Sequence, residues 1–138
     1  MLIELPSDRL RFILGGRSEF TVHNPLTGGR FTYSVSRVEA RGRRTYQVRV
    51  LTNPDNTSRF SYLGRITQRG EFHANSRRIG PRALSSRSFA WIWRRTMALR
   101  EIGPAEFLHT GRCGRCGRKL TVPESIKSGL GPVCAGRV

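Results

Sequence analysis

From Glu19 onward apolar and polar residues alternate with a period of two along much of the chain, the spacing of strands with one buried face. Between Glu19 and His23, Phe20 and Val22 share a side opposite Thr21. Between Arg30 and Val38, Phe31, Tyr33 and Val35 oppose Thr32, Ser34 and Ser36, and between Thr45 and Leu51 the inner positions are Tyr46, Val48 and Val50. Turn chemistry separates these segments: Asn24-Pro25-Leu26-Thr27-Gly28-Gly29, the basic loop Arg41-Gly42-Arg43-Arg44, and Asn53-Pro54-Asp55-Asn56. A further strand is expected over about Arg59 to Thr67, and Arg69-Gly70 starts a tight turn into a short strand around Phe72. The pattern predicts an antiparallel meander of about four or five strands, with Phe31, Tyr33, Tyr46, Phe60 and Tyr62 turned inward as core.

One apolar face of such a sheet needs a cover. The period changes to that of a helix at Phe89, Ile92, Trp93 and Met97, with Ser85 or Ser86 as its N-cap, a run to about Arg100, and Gly103-Pro104 as its stop. Between sheet and helix, Ala74 to Arg82 reads as a polar, basic connecting loop. The expected fold class is therefore α+β: an antiparallel β-meander covered by one helix over residues 1–106, followed by a small module over residues 107–138.

That last segment differs in kind. Its large aliphatic residues are few, chiefly Leu120, Val122, Ile126, Leu130 and Val133, too few to fold it alone. Cys113-Gly114-Arg115-Cys116 places two thiolates within reach of one tetrahedral ion, and Cys134 follows after 17 intervening residues, a loop length compatible with zinc ribbons and treble-clef-like fingers. A structural zinc site takes four protein ligands, and His109, four residues before Cys113, is the local candidate for the fourth. His73 and His23 are more distant substitutes, and Glu124 or a water molecule is a further alternative. A redox Cys-x-x-C pair is the competing reading, disfavoured by the flanking glycines and the third cysteine. One structural Zn²⁺ would contribute on the order of 10–16 kcal/mol of apparent binding free energy to folding.

The run from Cys113 to Cys134 resembles a small Cys-rich module of unassigned function found in bacteriophage and some bacterial proteins. The residues that carry the resemblance are Gly117, Arg118, Leu120, Pro123, Ser125, Gly129, Gly131, Pro132 and Cys134. Upstream, Thr27-Gly28-Gly29-Arg30-Phe31-Thr32-Tyr33, Pro54-Asp55-Asn56, Tyr62-Leu63-Gly64 and Phe89-Ala90-Trp91-Ile92-Trp93 are similar to a phage protein type, on weaker motifs. The resemblance implies a phage context and a metal, with a His often placed shortly before the first Cys, as His109 is here; it implies no activity.

Charge narrows the partners. The 138 residues hold 25 Lys and Arg against nine Asp and Glu, a formal net charge of +16, which attracts phosphate polymers or other acidic surfaces. Only Lys119 and Lys127 are lysines. Arginine suits bidentate phosphate contacts, although GC-rich coding produces the same preference; codon use does not, however, force acidic residues to be so few. The expected nucleic-acid contacts are Arg41, Arg43 and Arg44 in the hairpin loop, Arg77 and Arg78 in the connector, Trp91, Arg94 and Arg95 on the helix, and Arg112, Arg115, Arg118 and Lys119 around the knuckle. Each of the cations taken singly also reads as an ordinary solvated charge, and Trp91 equally as a stacking side chain or as an anchor packed on the finger.

Enzyme motifs are missing: there is no phosphate-binding Gly-x-x-x-x-Gly-Lys loop, no H-E-x-x-H helix and no carboxylate cluster for two metals. His73-Ala74-Asn75 has nuclease-like residue types without the spacing. A closed set of three Cys and one His would also leave no position for an activated water. The expectation is a non-enzymatic, phage-encoded nucleic-acid-binding protein of the bacterial cytoplasm, with DNA ranked ahead of RNA and low sequence specificity. The rival is a phage protein that docks on an acidic or nucleic-acid-handling host protein such as a polymerase, nuclease or defence complex. With no apolar run of about 20 residues and no signal-peptide pattern, no membrane association is expected.

Overall fold

The computed structural model describes residues 1–52 and 59–137; the expected turn at Asn53-Pro54-Asp55-Asn56 lies outside the described residues. The chain opens with a helix the alternation pattern did not single out, α1 (Pro6–Ile13), with Pro6 in its first turn and Asp8 beside its N-terminus. Strands β1 (Arg17–His23), β2 (Arg30–Ala40), β3 (Arg43–Leu51), β4 (Phe60–Ile66) and β5 (Phe72–His73) follow, then α2 (Leu84–Met97) and β6 (Glu106–His109). They form one antiparallel six-stranded sheet in the order β5-β4-β3-β2-β1-β6. The architecture is α+β, as the pattern predicts, with β6 returning from the helix to pair with β1. The polypeptide leaves the sheet only after His109, so the border expected between residues 106 and 107 falls inside β6.

Two helices, not one, cover the sheet. Phe20, Tyr33, Val35, Val48, Val50 and Phe107 on the strands bury against Phe12 and Ile13 of α1 and Phe89, Ile92 and Trp93 of α2. The aromatic centre is continuous: the rings of Phe20 and Phe107 stack at 4.4 Å, and Phe12 meets both edge-on. Arg9 locks the helices together. Its guanidinium is buried and donates to the carbonyl of Arg100 at 2.6 Å beyond the C-terminus of α2; burial holds its pKa below the ordinary value.

Two expectations about these elements need correction. The N-cap of α2 is Ala83, not Ser85 or Ser86, and the helix ends at Met97, three residues short. The serines have other partners: the Ser86 hydroxyl donates to the Gly80 carbonyl, and the Ser85 carbonyl accepts from the Tyr33 hydroxyl at 2.7 Å. Tyr33 and Tyr46 are core, but Phe60 and Tyr62 face the other way. A register shift between Val48 and Arg49 lets Leu63 bulge, so Tyr62 pairs with outward Arg49 and Phe60 with Leu51. Among the described residues no helix is long and apolar enough to cross a membrane.

Candidate metal centre and basic cleft

After His109 the chain builds a finger from a knuckle and two short helices, α3 (Pro123–Ser128) and α4 (Pro132–Ala135). The knuckle is a tight antiparallel turn. Cys113 N–H donates to the Arg118 carbonyl at 2.8 Å, Gly117 N–H returns to the Cys113 carbonyl at 2.9 Å, and Gly117 supplies the positive φ of 79° that the turn requires. Cys134 comes from α4. The three sulfurs lie within 4.8 Å of one another, a spacing compatible with the roughly 3.8 Å between thiolates on a tetrahedral ion with bonds of about 2.3 Å. The donor set could therefore hold a metal ion.

The finger's own apolar core is only Cys113, Leu120 and Leu130, with Ile126 and Ala135 against it. Val122 and Val133 are exposed, which leaves still less to hold the module without an ion. Electrostatics prepares the first ligand. Burial alone would raise the Cys113 thiol, but N–H groups of Gly131, Cys116 and Arg115 directed at its sulfur outweigh this and lower it to about 7. Those of Arg115 and Gly131 lie 3.4 and 3.3 Å from Sγ. Cys134 is raised, by burial and by the neighbouring thiols.

His109 is not with the cysteines. It is buried on the last position of β6, its ring 5.8 Å from that of Phe12. Nδ1 accepts the Gly111 N–H at 2.9 Å, which assigns the proton to Nε2, and Nε2 donates to the Ile126 carbonyl at 2.5 Å. Both ring nitrogens are thereby committed to the backbone, where they tie β6 to α3. The other suggested donors are placed elsewhere: His23 pairs with Glu106 at 2.9 Å, His73 sits on edge strand β5, and Glu124 is exposed on α3. Among the described residues no His, Asp or Glu joins the three sulfurs. The closed-sphere argument against an open metal position consequently does not hold.

Close backbone approach docks the finger on the sheet domain. Arg17 N–H donates to the Gly114 carbonyl at 2.8 Å, Arg11 of α1 donates to the Ala135 carbonyl, and a Cβ on Gly114 would stand 2.7 Å from the Phe12 ring. Where the two parts meet, a cleft of ≈ 670 Å³ opens beside all three cysteines. Arg17, Arg37, Arg115, Arg118, Lys119 and Arg137 line it, and among the described residues no Asp, Glu or His does. Arg17 and Arg37 give one N–H each to the carbonyls of Cys116 and Gly15, while Arg37 Nε is buried without a partner among the described residues, a desolvated donor worth about 1–3 kcal/mol.

The expected contact residues do not form a single surface. Arg115, Arg118 and Lys119 lie in the cleft, whereas Arg112 is exposed outside its lining and donates to the Gly117 carbonyl. Arg41, Arg43 and Arg44 crowd the β2–β3 hairpin tip, where Arg44 pairs with Glu39 at 3.1 Å. Arg77 and Arg78 are exposed in the connector. Trp91 is half-buried with the Arg95 guanidinium 5.7 Å from its ring, and with Arg94 it borders a separate groove floored by Phe31 and Phe72. Arg17, Arg37 and Arg137 join the cleft in addition to the residues expected from sequence. Nothing local marks them, because each reaches the cleft from a different part of the chain.

No curated protein and no solved structure matches the chain. Residues 103–138, which take in β6 and the whole finger, match a protein family of unknown function, DUF6011; the match does not extend to α1, β1–β5 or α2.

Proposed function

We propose that this is a nucleic-acid-binding protein whose finger is ordered by one zinc ion and whose arginines grip phosphates with low sequence specificity. The observation that carries the reading is the cleft: six cations from the start of β1, β2, the knuckle and the C-terminal end converge on one cavity with no side-chain carboxylate of the described residues in its lining. Like charges brought together this way repel, and a polyanion relieves that repulsion. Three thiolates, one with its pKa already lowered to about 7, suit zinc. Among the described residues no side-chain carboxylate or imidazole lines the cleft as a general base, which favours binding over catalysis. The resemblance of the finger to phage-borne modules makes a phage the natural setting, and the host cytoplasm the place of action.

The test is titration of the zinc-loaded protein into labelled single- and double-stranded DNA and RNA at about 50 and 200 mM salt. Tight, salt-sensitive binding to any of these supports the proposal, and its absence at low salt refutes it. A second reading, docking on an acidic host protein, is favoured by one feature: Trp91 and Arg94 beside a groove with exposed Leu84 at its edge, the mixture of aromatic anchor and arginine common in protein interfaces. In that case Trp91→Ala abolishes partner capture while leaving oligonucleotide binding unaffected.

A further inference from the structure

Three thiolates make an incomplete shell for a tetrahedral ion. The donor expected to complete it, His109, has both nitrogens engaged by Gly111 and Ile126, and no other His, Asp or Glu among the described residues stands with the sulfurs. The N–H groups of Arg115 and Gly131 donate to Cys113 Sγ at 3.4 and 3.3 Å, and a thiolate sulfur keeps lone-pair capacity for an ion beside such donors. All three cysteines also border the cleft, whose ≈ 670 Å³ far exceeds the space of an ion and the roughly 30 Å³ of one bound water.

Charge then restricts what can enter. A divalent ion with three thiolates carries a net charge of −1, which by itself would discourage an anion. The six cations of the same cleft outweigh it, with no Asp or Glu among the described residues in the lining to offset them. Arginine's planar fork matches phosphate oxygens. The geometry points to an open metal centre: the ion held by Cys113, Cys116 and Cys134 takes its fourth ligand from outside the chain, and the basic cleft makes that ligand a phosphate group. This rests on the reading of the cleft as a phosphate site, and adds that the phosphate meets the metal. A terminal phosphate of a nucleic acid and a free phosphate share this chemistry.

Full-length protein loaded with Co²⁺ reports on the coordination sphere through its visible d–d bands. The probes are inorganic phosphate, an oligonucleotide carrying a 5′-phosphate, and the same oligonucleotide without it. A saturable band shift with either phosphate probe supports the inference. A shift with the 5′-phosphorylated strand but not its unphosphorylated twin names the nucleic-acid end as source; a shift with inorganic phosphate alone names the free anion. Arg118→Gln should weaken the shift roughly tenfold or more in apparent affinity. Bands unmoved by every probe overturn the inference, as does a His109→Gln spectrum that differs before any probe is added. Oligonucleotide binding by anisotropy with unmoved bands leaves the function proposed above intact and removes only this one; moved bands without oligonucleotide binding do the reverse.

Discussion

Neutralising two of the cleft cations should change the salt dependence of binding by a calculable amount. If each of the six cations lining the cleft meets one phosphate, the log-log slope of affinity against salt is about −5.4 on duplex and −4.2 on single strands, at 0.9 and 0.7 per contact. Between about 50 and 200 mM salt this is a loss of roughly 2 × 10³-fold or 3 × 10²-fold. Arg115→Gln with Arg118→Gln leaves four cations, so the duplex slope should become shallower by about 1.8 and the loss shrink to roughly 150-fold. Glutamine keeps much of the side-chain length, and Arg118 is exposed, so the fold is little disturbed. The assay is fluorescence anisotropy at several salt concentrations, and the weakening should be uniform across sequences. Arg41→Gln with Arg43→Gln, at the separate hairpin tip, is the control. An unchanged slope in the knuckle variant, with a shallower one in the control, would refute the cleft as the contact surface.

Other perturbations address the finger and its attachment. Cys116→Ser removes one of three ligands and should release the metal, unfolding the finger while the sheet domain keeps its far-ultraviolet dichroism; stoichiometric metal retained after dialysis would contradict the assignment. Gly114→Ala drives a Cβ to 2.7 Å from the Phe12 ring, so denaturant unfolding should show a loss of about 1–3 kcal/mol, with the finger more open to protease. His109→Gln should keep one metal per chain but lose about 1–3 kcal/mol, because Gly111 N–H and the Ile126 carbonyl lose ideal partners. The pKa of His109 is lowered by burial, so below its ordinary value of 6.5 the unfolded chain binds more protons and stability falls as pH drops; above that pH the group contributes no slope. Melting curves of wild type and His109→Gln from pH 7.5 to 5 should therefore converge at the acid end.

Local pattern determined a good deal of this protein. Period-two alternation and turn residues marked β1 to β5, because a half-buried strand has no other way to segregate its faces, and the Phe89-Ile92-Trp93 spacing marked α2; β6, four residues paired to β1 from beyond the helix, carried no such signal. The Cys-x-x-Cys knuckle and the scarcity of aliphatic residues after it singled out the segment expected to hold an ion, and the three sulfurs do come together. A helix signal was also present at the N-terminus, in Pro6, Asp8 and the buried pair Phe12 and Ile13, though too short to stand out from a loop.

What the tertiary structure decided are the matters that depend on partners distant in the chain. One bulged residue, Leu63, reversed the faces of Phe60 and Tyr62, since a strand's parity does not survive an insertion whose cause is the neighbouring strand. Proximity in sequence suggested His109 as a ligand, but its nitrogens are claimed by the backbone of Gly111 and Ile126, and only the packing of β6 against α3 makes those partners available. The cleft is likewise a product of docking. Arg17, Arg37, Arg115 and Arg137 are separated by up to 120 residues of chain and meet because Gly114 and Gly129 let the finger's backbone close on Phe12. Charge abundance is a property of composition, but where charges converge is set by which surfaces are pressed together.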